Sequence, residues 1–216
     1  MFALSLARPL LVQRTRSGRL GRGNAEESSV AENGMGKTRA MGQVVPFASL
    51  VDLGQHLHAR GQRIVFTNGH FDLLHPGHVR LLQTARTLGD VLIVGINTDE
   101  TAQQRKGPGR PILPESARAE LLAALACVDY VTIFPHPTAE EAIRILRPDV
   151  YVKGGDYAAT PDEEAAGKTP LPEAAIVRSY GGQVVILPLV PGWSTTAIVR
   201  RILDAYCPGQ SRDAQP

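Results

Sequence analysis

Two histidines set three apart, His75 and His78, bracket Pro76 and Gly77 at the end of the run Thr67-Asn68-Gly69-His70-Phe71-Asp72-Leu73-Leu74-His75-Pro76-Gly77-His78. The run follows the apolar triplet Ile64-Val65-Phe66, which reads as a short buried strand. It precedes residues 78–88, where Val79, Leu82 and Leu88 recur at helical spacing. The pair therefore falls at a strand-to-helix turn. A helix N-terminus offers unpaired N–H groups and partial positive charge, so it attracts phosphate. Two imidazoles beside it can donate to the same oxygens. Gly77 lets a ligand come close to the backbone. Such a turn suits a nucleoside triphosphate, although either histidine alone could be a satisfied structural residue.

Three further segments carry the same kind of chemistry. Lys106-Gly107-Pro108-Gly109-Arg110-Pro111 puts two cations on a flexible stretch, where anion-binding residues often lie. Lys153-Gly154-Gly155-Asp156 directly follows an apolar run; its glycines allow close backbone approach and Lys153 can meet phosphate. Ser194-Thr195-Thr196 opens the last helical pattern, as an N-cap and as a second set of hydroxyl and N–H donors. Read singly, these are surface charges, a tight turn and a cap. Arg118 falls early in a helix, where the dipole disfavours a cation. That placement hints at a phosphate or acidic partner, or at an ordinary surface residue.

The elements that must position these groups alternate. A lead-in helix covers residues 47–60, with Leu50, Leu53 and Leu57 on one face. Strands are expected at 64–67, 91–96, 130–134, 150–153 and 184–187, and helices at 78–88, 115–126, 138–147, 173–180 and 195–206. Residues 103–114 and 156–172 read as polar loops. Runs such as Val91-Leu92-Ile93-Val94 are apolar throughout, as in a parallel sheet covered on both faces. The expected fold is α/β, a doubly wound, Rossmann-like parallel sheet of five strands. Ligands of such sheets bind beyond the strand carboxyl ends, where the polar segments converge.

Composition narrows the class. The 216 residues suffice for one α/β domain. The first forty residues hold seven Lys/Arg against three Asp/Glu, leaving 16 basic against 18 acidic residues in the remainder. The folded part is thus no basic nucleic-acid binder. No apolar run is long enough to span a membrane, and Cys127 and Cys207 fit neither a disulfide framework nor a zinc spacing. Residues 1–41 read as a disordered extension. An organelle transit peptide, a basic tail and a start placed too far upstream of Met35 or Met41 compete to explain it, and the last is preferred. The nucleotide-handling domain is expected at 42–206, followed by a disordered tail at 207–216, in a cytoplasmic protein.

Taken together, His75-Pro76-Gly77-His78 and Ser194-Thr195-Thr196 resemble the nucleotidyltransferase superfamily that includes cytidylyltransferases and pantetheine-phosphate adenylyltransferase. From about Arg63 to Leu203 the chain is most similar to the adenylyltransferase domain of heptose-1-phosphate enzymes. The shared segments include Lys106-Gly107, Arg110-Pro111-Ile112, Ala126-Cys127-Val128-Asp129, Arg147-Pro148-Asp149, Lys153-Gly154-Gly155-Asp156-Tyr157 and Tyr180-Gly181-Gly182. The resemblance implies transfer of AMP from ATP to D-glycero-β-D-manno-heptose 1-phosphate. It places His75 and His78 on the triphosphate, His78 nearest the transferring phosphorus. Thr67 and the backbone of Asn68 and Gly69 support the same phosphates, and Asp72 orients the substrates or the phosphate-binding loop. Lys106 neutralises the acceptor phosphate, and Ser194, Thr195 and Thr196 hold the β and γ phosphates. Trp193 flanks the adenine or packs in the core. Mg²⁺ is expected as the triphosphate's counter-ion with no dedicated metal site, and a homodimer is expected from the family.

Three features depart from relatives. His70 stands where a smaller residue is usual, the segment from Ala158 to Pro172 looks longer, and no sugar kinase is expected ahead of the domain. The leading alternative is a cytidylyltransferase acting on glycerol 3-phosphate or another small phosphorylated alcohol. Against it, Ala197 and Val199 replace the basic residues that glycerol-phosphate relatives carry. A nucleotide-binding regulator without turnover is disfavoured by the presence of both histidines and Lys106.

Overall fold

The computed structural model describes residues 41–207. The expected extension and tail lie outside them, apart from Met41 and Cys207. In chain order the elements are β1 (Gln43–Val45), α1 (Leu50–Ala59), β2 (Ile64–Gly69), α2 (Pro76–Arg86), β3 (Val91–Asn97), α3 (Asp99–Lys106) and α4 (Glu115–Ala123). There follow β4 (Tyr130–Phe134), α5 (Glu140–Leu146), β5 (Val150–Gly154), α6 (Pro161–Ala165), α7 (Pro172–Ser179), β6 (Gln183–Leu187) and α8 (Thr195–Tyr206).

The sheet is wholly parallel in the order β1-β4-β3-β2-β5-β6. Among the described residues it has six strands rather than five. The additional strand is β1, three residues that add to the outer edge of β4, with Gln43 opposite Tyr130. A run that short carries no readable periodicity. Every residue of β3 is buried, and side chains alternate between two cores. Phe66, Ile93 and Tyr151 pack with Leu50, Leu57, Ile143 and Val177 on one face. Val65, Leu92, Val94 and Val152 pack with Leu82 and Leu122 on the other.

Aspartates tie the strand beginnings. Asp149 accepts from the Ile64 N–H at 2.7 Å and Asp129 from the Leu92 N–H at 2.8 Å. Each closes a backbone donor that parallel pairing leaves open at a strand's start.

Two helices were not expected: α3 runs from Asp99 into the start of the segment read as a loop at 103–114, and α6 lies within that at 156–172. Thr98 caps α3 by accepting from the Thr101 N–H, with Asp99 and Glu100 in the first turn. This helix buries only Thr101 and Ala102, so it lacks the apolar stripe by which helices are recognised. Thr160 caps the short α6 in the same way, with Pro161 at its first position. Helix α4 ends at Ala123, one turn earlier than expected.

The path β2–β3–β4 runs to one side of β2, and the chain then crosses to place β5 on the other. The crevice at the carboxyl ends of β2 and β5 is therefore the topological switch point, where doubly wound sheets bind ligands.

Candidate active site

A cleft of about 460 Å³ opens at that switch point. Its walls come from the ends of β2 and β5, the starts of α2 and α8, and the segment from α3 to residue 111.

The loop leaving β2 is unusual backbone. Phe71 and Leu73 both adopt left-handed conformations, with φ of 47° and 50°, which is uncommon for bulky residues. Asp72 between them holds the loop. One carboxylate oxygen accepts from Arg110 Nη1 and the Ile112 N–H, both at 2.9 Å, and the other accepts from the Leu113 N–H at 3.0 Å. The Asp72 carbonyl accepts from Thr195 Oγ1 at 2.7 Å. Asp72 thus ties the histidine loop to residues 110–113 and to α8. Of its two expected roles, this geometry favours orienting the loop.

His75 is the N-cap of α2. Its Nδ1 accepts from the His78 N–H at 3.3 Å, so the neutral ring carries its proton on Nε2. The two rings stack, with centroids 3.7 Å apart and planes 20° apart, and Phe71 lies 5.1 Å from His78. A Cβ on Gly77 would come within 2.9 Å of His75 Cε1 and Nδ1; glycine is required here by the ring above it. Burial holds His75 below its ordinary value of 6.5. His78 is pushed down to about 4 by burial and by His75, against the pull of Asp72. Both rings are therefore neutral near pH 7.

At the end of β5, Lys153 Nζ donates to Asn68 Oδ1 at 3.0 Å and to the Asn68 carbonyl at 3.3 Å. Tyr151 donates to the same Oδ1 at 2.7 Å. The ammonium lies 5.6 Å from the Tyr157 ring centre, and burial lowers its pKa to about 8. Lys153 reaches the cleft already anchored to the floor, and the Asn68 side chain serves that network. Thr67 and Gly69 line the same floor. Gly155 and Asp156 lie beyond the cleft wall. Gly155, at φ 131°, donates to the Leu187 carbonyl, and the exposed Asp156 accepts from the Thr169 N–H. Both shape the excursion that leads to α6.

Across the cleft, Ser194 Oγ caps α8 by accepting from the Ala197 N–H at 3.0 Å. Thr196 is exposed beside it. Trp193 is 38% exposed and carries the Arg201 guanidinium 5.8 Å from its ring centre; it lies at the cleft wall and outside the core. The N-termini of α2 and α8 thus face one pocket, with Lys106 exposed at the end of α3 on its rim.

Arg118 is neither a surface residue nor a phosphate ligand. It is fully buried and donates to the carbonyls of Leu113, His70 and Asn97 and to Asp99 Oδ1. It pins three loops from behind. The sequence reading overlooked Arg105 as a cleft-lining residue and gave Tyr157, named only within a shared segment, no role. Each adjoined a segment already singled out, which was the available signal. Among the described residues no cluster of three His, Cys, Asp or Glu side chains is arranged to hold a metal, and no helix is long and apolar enough to cross a membrane.

Comparison with known proteins agrees with this arrangement. The chain is 52% identical over 158 residues to the bifunctional protein HldE of Syntrophotalea carbinolica, covering 73% of this chain and 30% of that protein. It is 42% identical over 190 residues to HldE of Citrifermentans bemidjiense, covering 88% and 37%. The chain thus spans about a third of these relatives' length. The crystal structure of pantoate-beta-alanine ligase from Francisella tularensis, complexed with beta-gamma ATP and beta-alanine, superposes with a TM-score of 0.51 at 15% identity. That match covers 75% of this chain and 73% of the ligase, and shows a shared fold. The cytidylyltransferase-like family model matches residues 66–201, most of the described chain and every element of the cleft, and the protein belongs to that family.

Proposed function

We propose that this protein transfers AMP from ATP to D-glycero-β-D-manno-heptose 1-phosphate, forming ADP-heptose, a precursor of the lipopolysaccharide core, and pyrophosphate. The observation that carries the reading is the stacked pair His75–His78 at the start of α2, facing the start of α8 across the cleft. The 42–52% identity to the HldE proteins supports the choice of nucleotide and acceptor.

In this reaction an oxygen of the sugar phosphate attacks the α-phosphorus in line. The bond to the bridging oxygen breaks, and pyrophosphate leaves with the electron pair. No covalent intermediate with the protein is required, so positioning and charge stabilisation do the work. His75 presents Nε2–H to the triphosphate, its tautomer fixed by the cap it makes. His78, stacked on it, lies nearest the transferring phosphorus. Being neutral, both rings donate without competing with the lysines for the phosphate charge. The helix ends and the hydroxyls of Ser194 and Thr196 hold the departing pyrophosphate. Thr195 acts through Asp72, and Lys106 receives the acceptor phosphate.

The donor set does not suit a protein-held cation, because the Asp72 carboxylate is engaged by Arg110 and two backbone N–H groups. Mg²⁺ belongs to this reading as part of the triphosphate substrate. Cytoplasmic residence and a homodimer belong to it as well.

The test is pyrophosphate release by the full chain with Mg²⁺, crossing ATP or CTP with heptose 1-phosphate and glycerol 3-phosphate. Turnover with ATP and heptose 1-phosphate alone is expected. Turnover with CTP and glycerol 3-phosphate would move the protein to the cytidylyltransferase reading with the same machinery.

A further inference from the structure

The loop with the stacked histidines carries a third, His70, in quite different company. It lines the same cleft. Its Nδ1, like that of His78, is buried with no hydrogen-bond partner among the described residues, so what sets His70 apart is the charge around it. Its carbonyl is fixed at 2.7 Å by Arg118 Nη1. The charges that reach it come from three elements and are all positive: Arg105 and Lys106 at the end of α3, Arg118 on α4 and Lys153 on β5. The nearby acids are engaged elsewhere. Asp99 is paired with Arg118, Asp72 with Arg110, and Glu173 accepts from the Ala139 N–H.

The cleft is thereby divided. His78 faces His75 and Asp72, beside the two helix ends. His70 faces cations only. Burial, then Lys106 and the other cations, hold His70 down to about 4. A buried nitrogen without a partner is unfavourable, and the cations around it offer no acceptor to satisfy it. A phosphate dianion entering this half would supply the missing acceptor and cancel the repulsion that keeps the ring neutral.

We propose that His70 is a recognition residue for the acceptor's phosphate, taking up a proton from solvent as the dianion settles between it and Lys106. The imidazolium donates a charge-assisted hydrogen bond to a phosphate oxygen and releases the proton when product leaves. No bond within the phosphate changes. The inference deepens the proposed reaction and rests on it for the acceptor's identity; the phosphate chemistry stands on the cleft alone.

The test has two arms on the full chain. In the first, histidine ring NMR signals are followed against pH with and without inorganic phosphate, the His70 signal being assigned by its loss in His70→Gln. The His70 midpoint is expected to rise from about 4 toward neutrality when phosphate is added. A His70 signal that ignores phosphate while those of His75 and His78 respond overturns the proposal. In the second, His70→Ala is expected to raise the KM for heptose 1-phosphate about tenfold, as for a lost hydrogen bond to a charged group, and to leave the KM for ATP nearly in place. His70→Gln, which keeps a donor, recovers part of that loss without the pH dependence. A penalty falling on ATP instead overturns the assignment to the acceptor. If the wild type uses no sugar phosphate while His70 still titrates with phosphate, the proposed reaction fails and the recognition role stands.

Discussion

Replacing Gly77 with alanine separates the architecture of the histidine turn from its chemistry. The added Cβ would meet the His75 ring at 2.9 Å and Trp193 Cβ at 3.6 Å. The ring contact is about half an ångström short of ordinary van der Waals distance. The ring cannot simply swing aside, because Nδ1 caps α2 and the face stacks on His78. Displacing it loosens the cap, worth about 1 kcal/mol. Alanine in place of glycine inside a helix returns up to about 1 kcal/mol. The two terms nearly cancel, so the melting temperature should move by less than about 3 °C. Turnover has no such compensation. The Nε2–H donor shifts with the ring by about half an ångström; as a full ångström of misplacement costs about 10²-fold, a loss of about tenfold or more is expected. The assay is pyrophosphate release alongside a thermal melt. Wild-type turnover in Gly77→Ala would refute the claim that the His75 ring position is set by the missing side chain. A collapse in stability would refute the cancellation.

Other consequences can be checked the same way. Asp72→Asn replaces an acceptor-only group that receives three donors; it should cost about 1–3 kcal/mol in urea unfolding and raise the KM of both substrates, and unchanged kinetics would count against the clasp. Arg118→Met strands three carbonyls and Asp99; a loss of about 3–5 kcal/mol is expected, and a loss under about 1 kcal/mol would show that the buried guanidinium is dispensable. His70 and His78 are held near 4 when folded against 6.5 when free, so the unfolded chain binds more protons between those values. Their contribution to stability is complete above pH 6.5 and is lost as pH falls toward 4. Melts between pH 7 and 5 should show this decline, weaker in His78→Gln, and identical slopes would contradict it.

The site was more legible than its supports. His75, His78 and the Ser194 cap were visible because strand, turn and helix signals lie side by side in the chain. Asp72 was visible only as a member of the motif. Its partners at 110–113 and 195 are joined to it by the fold, and no local pattern announces such bonds. Arg118 misled for a related reason. An arginine near a helix start suggests an anion, whereas here the carbonyls of three loops and one aspartate satisfy it. Helix α3 escaped because it has almost no apolar face, and β1 because three residues carry no period. The parallel sheet itself was plain in β3, where the run Val91-Leu92-Ile93-Val94 fits a strand covered on both faces.

The bond from Thr195 to the Asp72 carbonyl joins residues 123 positions apart. The histidine loop emerges well before α8, yet one wall of its cleft is the start of that helix. A ribosome-bound chain that has not yet reached residue 195 can build most of the sheet but cannot close the clasp. Assembly of the cleft is therefore scheduled by chain order: it waits for α8, and a product truncated before Trp193 should hold much of the fold and none of the activity.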